Sequence, residues 1–213
     1  MIAVDRREVW RYMGCPGEPG EEVRALAEEA IRAAAEAAAP RQVWRQVSLS
    51  LLPEHRIRLG ELETVSESLW QHLQGCGEAI LFAATLGSGV DLLLRRSRLS
   101  GVSRAAAVQA ASAAMIECFC DRCCGELEQQ LNGLYLRPRF SPGYGDLSLS
   151  FQQPLLDYLD AGRRIGLTTT DSLMMVPTKS VSAVIGLTGD KASCSVHKCA
   201  ACPKTDCPFR KSG

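Results

Sequence analysis

The apolar positions along this chain change period several times, and each change marks a predicted element. Val9, Trp10 and Met13 recur at helical spacing, and Gly14-Cys-Pro-Gly-Glu-Pro-Gly20 breaks the pattern. From Glu21 to Ala39 the chain is dense in Ala, Glu, Leu and Arg, all good helix formers, until Pro40 ends the run. Val43, Arg45, Val47, Leu49 and Leu51 then fall on one face by period two, which predicts a half-buried strand. Ser66 opens a short helix through Leu73, closed by Gly75-Cys-Gly77. Ala79-Ile-Leu-Phe-Ala-Ala-Thr85 is a continuous apolar run of the kind a central strand carries.

Past Gly87-Ser-Gly89 the spacing predicts a helix with Val90, Leu92, Leu93 and Leu94, then the longest helix, from Ser103 to about Leu131. Pro154 to Leu159 predicts another. Leu173 to Val176 and Val181 to Leu187 read as two strands paired with each other. Helices and strands mingle without regular βαβ alternation, so the predicted class is α+β.

Composition narrows the function classes. The chain has 213 residues with 46% hydrophobic, enough for a real core, and 24 Lys plus Arg balance 24 Asp plus Glu. No basic stripe alternates with aromatics, which argues against nucleic acid as a partner. The N-terminus turns charged at once, and the apolar stretch from Ala79 to Leu86 is far too short to span a bilayer; a cytoplasmic location without membrane contact is expected. Ten cysteines in such a chain read as thiols or metal ligands, not a disulfide framework.

The segment with most chemical content is Arg137-Pro-Arg-Phe-Ser-Pro-Gly-Tyr144. Pro142 fixes its own φ and biases Ser141 toward extended geometry, while Gly143 lets the chain turn sharply. The expected result is a rigid loop presenting the Arg139 guanidinium beside exposed backbone groups. A planar fork of that kind matches a carboxylate with two parallel hydrogen bonds. On spacing alone a plain Pro-Gly turn with a solvated arginine is the commoner outcome. Glu117 lies on the long helix among Ala113, Ala114, Met115, Ile116, Cys118 and Phe119, where an acid either faces solvent or needs a partner.

Cys118, Cys120, Cys123 and Cys124 share that helix, and a rotation of about 100° per residue keeps them from converging on one ion, so core packing is expected. The tail differs. Cys194, Cys199, Cys202 and Cys207 fall within fourteen residues as C-x4-C-x2-C-x4-C, in a segment too polar to fold unaided. Four thiolates on one metal would supply the missing constraint, as an iron–sulfur cluster or as zinc; an unliganded or redox-active tail is the third reading.

Arg139-x-x-x-Gly143-Tyr144, followed by Leu167-Thr-Thr-Thr-Asp-Ser-Leu-Met-Met-Val-Pro177 and Lys179-Ser-Val-Ser182, resembles the activation domain of cobalamin-dependent methionine synthase. Phe82-Ala-Ala-Thr-Leu-Gly87 and the helix through Glu117 also fit, and the resemblance runs from about residue 60 to 188. It implies a curved antiparallel sheet with flanking helices that binds S-adenosylmethionine. It also implies that Glu117, Arg139, Gly143 and Tyr144 contact the ligand, with Arg139 on its carboxylate and Glu117 on an amino or hydroxyl group. No catalytic acid or base is implied.

The expected role is reactivation in trans: supporting reductive methylation of the cobalamin on a methionine synthase or related corrinoid protein. A flavodoxin- or ferredoxin-type donor would supply the electron. The contrasting expectation is a non-catalytic adaptor of a corrinoid protein with a structural zinc tail. The organisation that follows is residues 1–59 as a helical segment and first strand, 60–188 as the ligand-binding core, and 189–213 as the metal-binding tail. The sequence departs from the family in lacking its W-x-P-F-F element. It also reads Gly143-Tyr-Gly-Asp-Leu-Ser148 where Gly-Tyr-Pro-Ala-Cys-Pro is common.

Overall fold

The strand most completely determined by its sequence is also the one around which the chain is organised. The computed structural model describes residues 2–15, 17–131 and 133–191. In it Glu78–Thr85 forms a strand whose every residue after Glu78 is buried. Ile80, Phe82 and Ala84 point into one hydrophobic cluster, and Ala79, Leu81 and Ala83 into another. An unbroken apolar run is what burial on both faces requires.

In chain order the helices are α1 (Arg6–Tyr12), α2 (Glu21–Ala37), α3 (Glu67–His72), α4 (Ser88–Leu99), α5 (Val102–Gln130), α6 (Gln152–Tyr158) and α7 (Ala161–Ile165). The strands are β1 (Arg41–Leu51), β2 (Arg56–Leu59), β3 (Leu62–Val65), β4 (Glu78–Thr85), β5 (Tyr135–Leu136), β6 (Thr168–Thr169), β7 (Met175–Val176) and β8 (Ser180–Thr188). Six strands make one open antiparallel sheet in the order β3-β2-β1-β4-β8-β5, and β6 and β7 form a separate hairpin. This is the α+β arrangement the sequence predicts.

One face of the sheet carries α1, α2, α4 and α5, packed through residues such as Val9, Ala27, Ala34, Val90, Met115 and Phe119. The alanines of α2 are the means of close approach: Ala27, Ala30 and Ala34 are its buried residues. The other face is covered by α3, α6, α7 and the loop before the 3-10 turn at Leu149–Phe151, through Leu69, Phe140, Leu147, Leu155 and Ile165. β1 is half-buried, as its alternation predicts, with Arg45, Gln46, Ser48 and Ser50 exposed. Val43 and Val47 enter the second cluster, and Trp44 packs against the first.

One pairing differs from expectation. The stretch from Leu173 to Val176 does not pair with β8; Met175 and Val176 fold back on Thr169 and Thr168. A turn reverses the chain first, with the Leu173 amide bonded to the Thr170 carbonyl and Leu173 at φ 62°. Both edges of β8 are meanwhile taken, by β4 and by β5. At the last described residue, the Lys191 ammonium lies 5.6 Å from the centre of the Tyr135 ring on β5. The cysteines from Cys194 to Cys207 lie outside the described residues.

Two helical glycines have opposite reasons to be there. A Cβ at Gly89, in the first turn of α4, would stand 2.2 Å from the Ala37 carbonyl oxygen at the end of α2. That contact lets the two helix ends meet. Gly125, inside α5, has nothing within 4 Å. Gly89→Ala is therefore expected to destabilise the protein by about 1–3 kcal/mol through overpacking. Gly125→Ala should instead stabilise it by roughly 0.5–1 kcal/mol through lower chain entropy. Urea denaturation of both variants checks the pair.

Candidate functional site

Beyond β5 the chain keeps running beside β8 as far as Phe140. The Arg137 amide donates to the Gly186 carbonyl, and Phe140 and Val184 exchange hydrogen bonds at 2.9 and 2.8 Å. Side chains on an extended segment alternate, so consecutive residues face opposite ways. Phe140 is buried in the second cluster. Arg139, next to it, turns toward α5. There its Nη2 donates to Glu117 Oε2 at 2.8 Å and its Nη1 donates to Asp121 Oδ1 at 2.7 Å and to Cys124 Sγ at 3.7 Å.

Glu117 and Asp121 are four residues apart and share one helix face. The sequence reading found Glu117 but missed Asp121, although that spacing was the available signal. The Arg139 side chain is 14% exposed, against 51% for Glu117 and 72% for Asp121. The cation is therefore sunk beneath its carboxylates, which reach the surface. Burial opposes the charge on Arg139, but Cys120, Asp121 and Cys124 around it outweigh that and hold its pKa above the usual value. A guanidinium offers five N–H donors. The described bonds use three of them.

The loop after Arg139 has the predicted bend and a different use of its backbone. Ser141 to Tyr144 is a turn closed by the Tyr144 amide on the Ser141 carbonyl at 3.0 Å, with Pro142 leading and Gly143 at φ 85°. That is the geometry of a type II turn, in which the third position needs positive φ. The Gly143 amide donates to Leu147 and the Leu147 amide to Tyr144. The amides of Gly143 and Tyr144, expected to be exposed, are thus satisfied within the loop. The Tyr144 ring is 59% exposed and packs edge-on against Phe140 at 5.2 Å, on the other side of the segment from the ion cluster.

Asp146 fastens this loop to α3. Its carboxylate accepts from Ser66 Oγ at 2.6 Å and from the Glu67 and Ser68 amides at 2.7 and 3.0 Å. These are the unpaired donors at the start of a helix. Those bonds, from Ser66 first and then from the Ser68 amide, hold the carboxyl well below its ordinary pKa.

The remaining candidates resolve into structural roles. Ser180 and Ser182 of the Lys-Ser-Val-Ser stretch begin β8; Ser180 Oγ donates to Thr85 Oγ1 and Ser182 Oγ to Gln152 Oε1. Burial lowers the pKa of Lys179, with Asp91 acting against it. Cys120 and Cys123 are buried, as expected for core thiols. Burial pushes Cys120 strongly up and Cys123 up to about 11, and it also raises Cys124, which Arg139 partly offsets. Among the described residues no three His, Cys, Asp or Glu side chains are grouped to hold a metal, and no helix is long and apolar enough to cross a membrane.

The open antiparallel sheet with its flanking helices recurs in a solved structure. The crystal structure of the MetH reactivation domain bound to AdoHcy matches with a TM-score of 0.61 over 85% of this chain and 74% of that chain, at 16% sequence identity. The fold is that of the MetH reactivation domain. No family model matches this sequence, and no curated protein is similar to it in sequence. The likeness is thus one of architecture, at an identity where side chains must be argued singly.

The Asp146 anchor gives a pH test. Its pKa is lowered on folding, so its contribution is complete above the unfolded value of about 4 and is lost as pH falls below it. The melting temperature of the wild-type protein should drop between about pH 4 and pH 2. Asp146→Asn should melt lower at neutral pH and lose less on acidification, narrowing the gap between the two. Parallel melting curves across that range would contradict the anchor.

Proposed function

We propose that this chain binds S-adenosylmethionine and supports reductive methylation of the cobalamin on a methionine synthase or related corrinoid methyltransferase. The observation that carries this reading is the direct contact of Glu117 with Arg139 in a fold shared with a domain solved with AdoHcy. In the sequence these residues are 22 positions apart, and the family resemblance implies the same ligand for both.

The ligand's methionine end carries a carboxylate and an ammonium. The two Arg139 N–H donors outside the described bonds suit the first, and the half-exposed Glu117 carboxylate suits the second. Gly143 sets the turn that exposes the Tyr144 ring. Because that ring packs on Phe140 across the segment from the ion cluster, its contact is with the part of the ligand away from the methionine end. S-adenosylmethionine supplies a methyl group on a sulfonium centre, ready to leave to a nucleophile. The protein contributes binding, orientation and electrostatics, and none of these side chains has to move a proton.

The cobalamin sits on the partner in this scheme, so the chain is one component of a methyltransferase. A flavodoxin- or ferredoxin-type protein delivers the electron, and an iron–sulfur cluster on Cys194, Cys199, Cys202 and Cys207 would relay it. Iron analysis with a visible absorption band tests that relay; a colourless protein with stoichiometric zinc would remove it.

Calorimetry with S-adenosylmethionine tests the site itself. Binding to the wild-type chain is expected, and Arg139→Ala should weaken it by about 1.5–3 kcal/mol, the range for a hydrogen bond to a charged group. Unchanged affinity in that variant would count against the clamp.

A further inference from the structure

Arg139 is over-neutralised. One guanidinium faces two carboxylates, Glu117 at 2.8 Å and Asp121 at 2.7 Å, leaving one negative charge in excess. The thiols beside it, Cys120 and Cys124, add nothing to this sum, since burial keeps both protonated near neutral pH. The next charged side chains on the helix, Arg122 and Glu126, pair with each other at 3.7 Å and cancel. Asp121 is also the most exposed member of the cluster, at 72%, so its charge reaches outward and is not spent wholly on the buried arginine.

An excess charge at the rim separates ligands that differ by a charge. A sulfonium methyl donor carries one more positive charge than the thioether left after its methyl departs. When the methyl passes to a nucleophile, the sulfur keeps the electron pair of the broken bond and becomes neutral. Adenosyl, ammonium and carboxylate groups are common to both molecules, so contacts with those groups cannot tell them apart. What differs is the methyl itself and the charge at the sulfur, and a carboxylate reads the second.

We infer that Asp121 is a specificity-determining residue that makes the site prefer the sulfonium donor over its thioether product. This rests on the reading of the site as an S-adenosylmethionine site, and it assigns to Asp121 a role beyond holding Arg139. A field of this kind also speeds product release, because the attraction is switched off by the transfer. Between partly exposed groups its size is modest, and salt screens it.

Calorimetry with S-adenosylmethionine and S-adenosylhomocysteine tests it on the full chain. Asp121→Asn keeps an oxygen to accept from Arg139 but removes the charge. In it the preference for the sulfonium should shrink by about two- to fivefold at about 0.01 M salt and converge on the wild-type value near 1 M. Asp121→Glu should retain the preference. A loss of affinity for both ligands by the same factor would make Asp121 a positioning residue only and overturn the inference, as would no change in either. A wild-type chain that binds neither ligand would sink the underlying reading as well, a result distinct from binding without discrimination. Should Asp121→Asn fold poorly, the wild-type preference itself must still fall as salt rises; a salt-independent preference refutes the proposal.

Discussion

A strand buried on both faces has no room for a polar side chain with chemistry to do, and β4 is such a strand. That constraint divides the molecule. Two hydrophobic clusters use up the two faces of the central strands, and polar groups with a role are displaced to the margins of the sheet. The margin beyond β8 is the one that receives them. There the chain leaves strand geometry after a single bridge at Phe140, and its neighbour Arg139 enters the space between sheet and helix.

The cluster at that margin works through a difference in depth. Arg139 is sunk, while the carboxylates that hold it are half or largely in water. A buried cation without partners would be costly, so the acids of α5 make its position tolerable. They also make it rigid, since three bonds from one guanidinium reach three residues of one helix. The turn that follows is rigid for another reason: its amides are consumed internally, and Asp146 ties it to the first turn of α3. The site is thus built from a loop whose freedom has been removed at both ends.

Much of this was legible in the residues. The run from Ala79 to Thr85, the long helix and the Pro142-Gly143 bend are each dictated by local pattern, and each appears where the pattern places it. What was not legible depended on which neighbour arrives from far along the chain. The strand from Leu173 to Val176 has the composition of a partner for β8, but the Thr170 to Met174 turn returns it to β6 instead. The amides of Gly143 and Tyr144 look open in sequence because nothing local shows that Leu147 closes over them. Asp146 reads as a loop acid, and only its approach to Ser66, 80 residues away, turns it into a helix cap. Asp121 is legible by its helical spacing, four residues from Glu117, although nothing local marks it as a partner of Arg139.

The contact between Lys191 and Tyr135 fixes where the described chain ends. Tyr135 opens the stretch that ends four residues later at Arg139, a span of about 14 Å at full extension. The last described residue therefore lies at the margin of the sheet that carries the guanidinium, whereas the far end, at β3, lies beyond four intervening strands.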